Sequence, residues 1–134
     1  MDEPIILFCD DCPLRAAKMF EWQTESERKR TVWVKTVKEA LKVLREYGER
    51  VEQLHLDHDL DGQEPLSTNN PLSGSEIVRY FNNLPKDKRN KYIKLRITLH
   101  DHNRYAAMEQ LRHLKALGFK VRWIPFGLEN EIKL

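Results

Sequence analysis

The sequence predicts an α/β fold in which a five-stranded parallel sheet carries helices on both faces. Five short apolar runs rich in β-branched residues are typical of strands. The segments between them repeat apolar residues every three or four positions, which is typical of amphipathic helices. Strands and helices therefore alternate, and right-handed crossovers between parallel strands place the connecting helices on the two sides of one sheet.

The elements follow one another in a regular order along the chain. The predicted strands are 5–9, 31–34, 51–56, 92–99 and 119–124, and the predicted helices are 13–22, 36–48, 73–84 and 103–118. Gly48 and Gly118 mark helix ends. Thr36 and either Ser73 or Ser75 mark helix starts, since short hydroxyl side chains cap helices well. About ten residues follow the fifth strand, so we expect the last helix to be reduced or absent.

Composition narrows the class of protein. At 134 residues, 40% hydrophobic and 33% charged, we expect one domain spanning 1–134. A net charge of +2 does not demand a nucleic-acid partner. The longest apolar run, 5–9, is too short to cross a bilayer, and the acidic start lacks the basic region of a signal peptide. With only two cysteines, the sequence indicates a cytoplasmic protein without a membrane partner.

Acidic residues follow three of the predicted strands, the first, the third and, with Asp101, the fourth. Asp10 and Asp11 follow the first strand and Asp57 follows the third, and ligands of such sheets bind at the carboxyl ends of the strands. Carboxylates about 4 Å apart repel by about 4 kcal/mol per pair at an effective dielectric constant near 20. Three ionised groups therefore require either a shared proton or a bound divalent cation. The alternative is that these residues only cap helices.

Three histidines lie beside carboxylates at predicted strand ends. They are His58, His100 and His102, and a carboxylate that orients an imidazole is the usual arrangement for general acid–base chemistry. His55 lies inside a strand, which favours a packing role, and His113 lies within a helix, which favours the surface. Neighbouring imidazoles would let the acidic site accept Mn²⁺ or Zn²⁺ as well as Mg²⁺.

Cys9 and Cys12 form a CxxC motif that encloses the two aspartates. Redox use of this motif needs a lowered thiol pKa, whereas adjacent carboxylates raise it. A zinc site would need two further ligands, which His100 and His102 could supply if the strand ends converge. The sequence therefore favours a packing role for Cys9 and a turn position for Cys12 over both alternatives.

Four segments resemble the receiver domains of response regulators: "ILFCDD", "TVKEAL" after the second strand, "LHLDHDLDG" and "IPF". The resemblance implies a flavodoxin-like three-layer sandwich with strand order 2-1-3-4-5. It also implies that Asp10 and Asp11 bind Mg²⁺ and that Asp57 is the phosphorylated position. The chain lacks the Ser or Thr that receivers carry after strand four, and Ile124 stands where they have Lys. These departures argue against an ordinary phosphorylation switch.

A closer resemblance is to the cyclic-phosphate processing receiver-like family, through "FCDD", "HLDHDLDG", "LSGSEIV" and "HDHN". Asp101 replaces a serine of that family and Arg104 a proline. The resemblance implies processing of a cyclic phosphate on a nucleotide or an RNA end. It implies a metal site of Asp10, Asp11 and Asp57, holding Mg²⁺ or alternatively Mn²⁺, and catalytic His58, Asp59, His100 and Asn103. The chemistry adds Arg15 and His102 as candidates for binding the substrate phosphate. For Arg15, a solvated position on the first helix is the alternative.

Two further functions compete with a metal-dependent phosphodiesterase. One is a non-enzymatic receiver-like module that binds a protein partner or sequesters a nucleotide. The other is a nucleic-acid-binding domain that uses the basic runs at 27–30 and 86–91. Those runs lack interleaved aromatic residues, so solvated surface is the better interpretation of them.

Overall fold

Five parallel strands form one sheet in the order β2-β1-β3-β4-β5, in a computed structural model that describes residues 3–57, 74–101 and 104–125. This confirms the predicted fold class and strand order. The strands are β1 Ile5–Cys9, β2 Thr31–Val34, β3 Val51–Leu56, β4 Arg96–Leu99 and β5 Lys120–Trp123. The helices are α1 Pro13–Trp22, α2 Glu25–Lys29, α3 Val37–Tyr47, α4 Ser75–Asn83, α5 Lys86–Arg89 and α6 Arg104–Ala116.

One face of the sheet forms the main core. Its inward residues alternate along the strands and include Leu7, Leu54 and Ile97, none more than 1% exposed. They form one cluster with apolar residues of α3, α4 and α6. Phe81 of α4 is fully buried, and its ring lies 4.9 Å from that of Phe119. This face follows from the period of two in the strands and of 3.6 in the helices.

The opposite face is apolar only beneath α1. There Phe8 forms a small cluster with Ala16 and Met19. On this face, one row of register partners runs across the sheet from β1 to β5. It consists of Phe8, His55, Thr98 and Arg122. The α1 side of β3, β4 and β5 is therefore polar.

Helix ends follow the predicted signals in most places. The Thr36 hydroxyl accepts a hydrogen bond from the N–H of Glu39, as an N-cap does. Gly48 and Gly118 have φ values of 50° and 96°, which favour glycine because a Cβ would be strained there. The expected cap at Ser73 or Ser75 is wrong: Gly74 is the N-cap of α4. The Ser75 hydroxyl instead accepts a bond from Gln110 of α6.

One strand boundary and two short helices differ from the prediction. Strand β4 begins at Arg96 rather than at residue 92, because Asn90–Tyr92 forms a 3₁₀ turn. Tyr92 is buried there and donates its hydroxyl to the carbonyl of Leu44 at 2.8 Å. The basic runs lie in two short helices, α2 and α5, that were not predicted. The expectation for the last helix concerns residues 126–134, which lie outside the described part of the chain.

No helix in the described ranges is both long enough and apolar enough to span a membrane.

Candidate functional site

The parallel ladder continues one residue beyond three of the strands. The backbone N–H of Asp10 donates to β2 at 3.1 Å, that of Asp57 to β1 at 3.0 Å, and that of His100 to β3 at 2.9 Å. Extending the strand registers by one residue therefore aligns Asp10, Asp57 and His100 in one row. Because side chains alternate, all three are on the α1 side of the sheet.

Asp10, Asp11 and Asp57 converge at this edge. Each offers a carboxylate oxygen, and the three oxygens lie within 4.8 Å of one another. Asp10 is fully buried and Asp57 is 7% exposed, so water screens their charges poorly. The predicted convergence of these carboxylates is confirmed, whereas their role as metal ligands stays a prediction.

The position of Asp10 is fixed by the backbone around it. Its Oδ1 accepts the N–H of Cys12 at 3.0 Å, and its carbonyl oxygen accepts the indole N–H of Trp33 at 2.7 Å. A carboxylate held from both sides is pre-organised, so binding a cation would cost it little conformational entropy.

Arg15 of α1 neutralises much of this negative charge. Its Nε lies 2.7 Å from Asp10 Oδ2 and its Nη2 lies 2.8 Å from Oδ1, a bidentate pair. The same Nη2 lies 3.4 Å from Asp57 Oδ2 and 3.6 Å from Asp11 Oδ1. The hydrogen bonds to Asp10 raise the pKa of Arg15 above its ordinary value.

The position of Arg15 changes two expectations. The carboxylates were expected to need a shared proton or a divalent cation, but a guanidinium supplies positive charge without either. A solvated position for Arg15 is also wrong, since its side chain is only 27% exposed and contacts all three carboxylates. Its role in substrate binding stays a prediction.

His100 lies in the same row but directs its ring into the protein. It is 3% exposed, and its Nδ1 lies 3.1 Å from the carbonyl oxygen of Ile124. Since a carbonyl oxygen only accepts, the Nδ1 of His100 carries a proton. The Nδ1 of His55 lies 2.8 Å from the Nε2 of His100, at hydrogen-bond distance. The catalytic role assigned to His100 therefore stays a prediction, now with both ring nitrogens hydrogen-bonded to the protein.

Sequence reasoning missed the importance of His55. Its ring stacks on that of His100 with 5.1 Å between centroids, and its Nε2 lies 3.1 Å from the side-chain amide of Gln53. Burial lowers the pKa of His55 well below its ordinary value, and the charges of His100, Arg122 and Arg96 lower it further. Alternation was the available signal, because it places His55 and Asp57 on the same face.

Comparisons with known proteins agree with this geometry. Residues 5–116 match the family described as "Cyclic-phosphate processing Receiver domain". The chain belongs to this family. No curated protein is significantly similar to the chain.

Solved receiver domains share the fold. The non-phosphorylated HemR receiver domain from Leptospira biflexa is 21% identical, with 96% of this chain and 86% of that chain covered and a TM-score of 0.61. The receiver domain of a histidine kinase from Arabidopsis thaliana, complexed with Mg²⁺ and BeF₃⁻, is 12% identical, with 96% and 84% covered and a TM-score of 0.57. A receiver domain from Saccharomyces cerevisiae, crystallised with its histidine phosphotransfer protein, is 17% identical, with 96% and 83% covered and a TM-score of 0.59.

Four of the predicted site residues lie outside the described residues. They are His58, Asp59, His102 and Asn103. Asp101 is fully buried, and its carbonyl oxygen accepts the indole N–H of Trp123 at 2.8 Å.

The CxxC motif contains one buried and one partly exposed thiol. Both cysteines are free, and Cys9 is fully buried. Burial raises the pKa of the Cys9 thiol, and the negative charges of Asp10 and Glu39 raise it further. Among the described residues, the group able to share a metal ion consists of the three aspartates and includes neither cysteine. The acids inside the motif, and not its thiols, therefore form the candidate metal site.

Proposed function

We propose that this chain is a divalent-cation-dependent phosphodiesterase that opens a cyclic phosphate on a nucleotide or an RNA end. One observation carries the proposal: three carboxylates from the ends of two adjacent strands lie within 4.8 Å of one another in a member of the cyclic-phosphate processing family. The carboxyl edge of a parallel sheet is also where such folds bind their ligands.

The residues present fit a hard cation. Mg²⁺ and Mn²⁺ prefer oxygen ligands, and Asp10, Asp11 and Asp57 would supply one oxygen each. Arg15 acts as a stand-in cation, because its guanidinium already lies among these oxygens. When bound, the ion would polarise the phosphoryl oxygens and lower the pKa of a water molecule. Mg²⁺ is our first choice, by analogy with the Mg²⁺ complex of the Arabidopsis receiver domain.

The chain's own residues would orient the substrate and move the protons. In the reaction, a water oxygen bonds to phosphorus, one ester P–O bond breaks, and the leaving sugar oxygen takes a proton. Arg15 and His102 would bind the phosphate, and the catalytic groups would be His58, Asp59, His100 and Asn103. For His100 to transfer a proton, its ring must first give up a bond to His55 or to Ile124.

Turnover tests this proposal directly. The protein would be incubated with Mg²⁺ or Mn²⁺ and with 2′,3′- and 3′,5′-cyclic nucleotides, and linear monophosphates would be quantified. We expect product from the wild type and at least about 100-fold less from Asp57→Asn. Asp87→Asn, an exposed acid on α5, is the matched control and should retain full activity. Absence of product, or equal rates in wild type and Asp57→Asn, contradicts the proposal.

A binding module is the second candidate. Arg15 supplies one positive charge to the three carboxylates, so part of their charge is balanced by the chain itself. On α6, Tyr105 is 75% exposed and Met108 is 48% exposed, and large apolar side chains at a surface favour protein partners. Calorimetric capture of a cyclic nucleotide without product would favour this module over the enzyme.

We also propose that residues 1–134 form one domain that acts in the cytoplasm. A single apolar cluster joins all five strands, which supports one domain. Both cysteines are free thiols, which supports a reducing compartment.

A further inference from the structure

We propose that Arg15 is a built-in counter-ion that competes with the divalent cation for the carboxylates. The cation binds only when Arg15 leaves, and the displaced guanidinium is then available to bind the substrate phosphate. This inference rests on the proposed function, because both concern the same three carboxylates. It adds that cation binding and the release of Arg15 for phosphate binding occur in the same step.

The distances place arginine and cation in the same space. Arg15 Nη2 lies 2.8 Å from Asp10 Oδ1, 3.4 Å from Asp57 Oδ2 and 3.6 Å from Asp11 Oδ1. A Mg²⁺ ion lies about 2.1 Å from each ligand oxygen. An ion held by one oxygen from each aspartate would therefore overlap Nη2, and the two positive charges would repel. Both cannot occupy the cluster.

The competition has a substantial energetic basis. A bidentate guanidinium–carboxylate pair is among the strongest hydrogen-bonded contacts, and Asp10 is fully buried. A cation must break this pair before it gains its own ligands. Removal of the guanidinium leaves three carboxylates that repel one another. This repulsion lowers the stability of the ion-free protein and raises its affinity for a cation.

The guanidinium of Arg15 can move away from the carboxylates and still remain close to the site. It lies in the first turn of α1, and the part of its side chain that is exposed gives it a path toward solvent. A long side chain anchored there stays within reach of a ligand bound at the carboxylates. The displaced guanidinium therefore has a use, since its planar fork suits two oxygens of one phosphate.

Mn²⁺ binding to the full chain tests the competition without any measurement of activity. Calorimetry and electron paramagnetic resonance of free Mn²⁺ would compare wild type, Arg15→Gln and Lys18→Gln. Lys18 is the matched control, because it is an exposed cation on the same helix. We expect Arg15→Gln to bind Mn²⁺ at least about tenfold more tightly than wild type, and Lys18→Gln to stay within about twofold.

Thermal unfolding gives a second measurement and guards against poor folding of the variant. Without Mn²⁺, Arg15→Gln should unfold at a lower temperature than wild type, and saturating Mn²⁺ should raise its midpoint more than that of wild type. Arg15→Lys keeps the charge but not the fork, so its Mn²⁺ affinity should lie between the two.

The outcomes separate this inference from the proposed function. If Mn²⁺ binds neither wild type nor Arg15→Gln, the metal-dependent function fails and the competition fails with it. If Mn²⁺ binds both with equal affinity, the metal site stands and only the competition is overturned.

A different region carries a second inference: we infer that the polar α1-side face of β3, β4 and β5 binds a nucleoside phosphate. Two adjoining cavities of about 440 and 250 Å³ lie on this face. Glu27, Gln53, Thr98 and Arg122 line both of them, so they form one groove. Asp10, Asp11 and Asp57 line neither cavity, but His100 lines the smaller one, so the groove adjoins the proposed metal site without including its carboxylates.

The larger cavity carries an excess of positive charge. Arg96 and Lys120 are register partners on β4 and β5, and Arg122 follows Lys120 on the same face. Arg122 donates Nε–H to Thr98 at 3.1 Å and makes no ion pair with any described residue. The nearby carboxylates are already engaged: Glu52 pairs with Arg96 at 3.3 Å, and Glu27 accepts the N–H of Thr24. An anionic ligand is the complement to Lys120 and Arg122.

The smaller cavity suits a flat aromatic ring. Trp22, Met19 and the buried His55 are among the residues that line it. Nucleobases stack on aromatic side chains of this kind, while their phosphates contact basic residues nearby. A base in this cavity would place its phosphate toward Arg122, which lines both cavities.

Equilibrium binding of two labelled probes tests the groove in the absence of divalent cations. The probes are a fluorescent adenosine monophosphate and a fluorescent RNA tetranucleotide. The double variant Lys120→Gln/Arg122→Gln should bind at least about tenfold more weakly than wild type. Lys38→Gln/Lys42→Gln removes two exposed cations of α3 and should bind as wild type does.

The two probes also distinguish the sources of the ligand. Equal binding of both supports a free nucleotide, and tighter binding of the tetranucleotide supports an RNA end. No saturable binding of either probe, or the same loss in both double variants, overturns the site.

Discussion

The two faces of the central sheet use alternate residues of the same strands for different purposes. Leu7, Leu54 and Ile97 point to one face and are at most 1% exposed within a wholly apolar cluster. The neighbouring row on the other face contains Phe8, His55 and Thr98, of which only Phe8 is apolar. Burial of a polar group costs free energy unless it is hydrogen-bonded. The polar face therefore contributes less to the stability of the fold than the apolar face does.

The largest effect is expected on the apolar face. Phe81 is fully buried among aromatic rings, so Phe81→Ala should lower the free energy of unfolding by about 3–5 kcal/mol through lost burial and a cavity. Urea denaturation measures this loss. Tyr105→Ala, at a 75% exposed position, should change it by less than about 0.5 kcal/mol. A loss below about 1 kcal/mol for Phe81→Ala would contradict the assignment of this face as the stabilising one.

A pH-dependent effect is expected on the polar face. Because the pKa of folded His55 is lowered, the folded chain keeps this ring neutral while the unfolded chain protonates it below about pH 6.5. The neutral His55 ring therefore contributes to the free energy of unfolding above that pH. This contribution falls as the pH falls, by about 1.4 kcal/mol per pH unit at most.

Denaturation from pH 7.5 to 4.5 in wild type and in His55→Gln measures this contribution. The difference between their free energies of unfolding should shift in favour of the variant as pH falls. His113→Gln changes an exposed histidine and should follow wild type at each pH. Parallel curves for wild type and His55→Gln would rule out the neutral buried ring.

A smaller effect is expected at the N-terminus of α3, which packs on the apolar face of the sheet. Thr36 caps α3, so Thr36→Ala should lower the free energy of unfolding by about 1 kcal/mol. Ser26→Ala in the exposed α2 is the control and should cost less than half as much. Equal costs in urea denaturation would show that the cap adds nothing beyond surface substitution.

The smallest effect is expected at the turn beside the carboxylates. Cys12→Ser should change the free energy of unfolding by less than about 0.5 kcal/mol, because Cys12 contributes its backbone N–H to Asp10 and not its thiol. In the native protein a thiol reagent should modify Cys12 and leave the buried Cys9 intact. Modification of Cys9 at the same rate would contradict the buried, high-pKa thiol.

Sequence periodicity was sufficient for the architecture because it reports which face each residue occupies. It placed β1, β2 and β3 at their observed bounds and brought Asp10 and Asp57 to one edge. It failed where elements are too short to show a period, as in α2, whose five residues begin with the capping box of Thr24 and Glu27. That box was the available signal.

The interior of the site could not be obtained in the same way. Spacing does not fix the direction of a long side chain, so the contacts of Arg15 with three carboxylates were not predictable from its position on α1. The bond between His55 and His100 joins residues 45 positions apart, and it depends on the register between two strands. Sequence alone gave the face of each residue but not its partner.

A crystal structure of the protein soaked with Mn²⁺ tests the central claim most directly. Anomalous scattering would locate the ion independently of any assumption about its ligands. We expect one peak about 2.1 Å from an oxygen of each of Asp10, Asp11 and Asp57, with Arg15 Nη2 moved away from Asp10. A saturated crystal with no peak there, and with Arg15 still paired to Asp10, would contradict a metal site at this edge of the sheet.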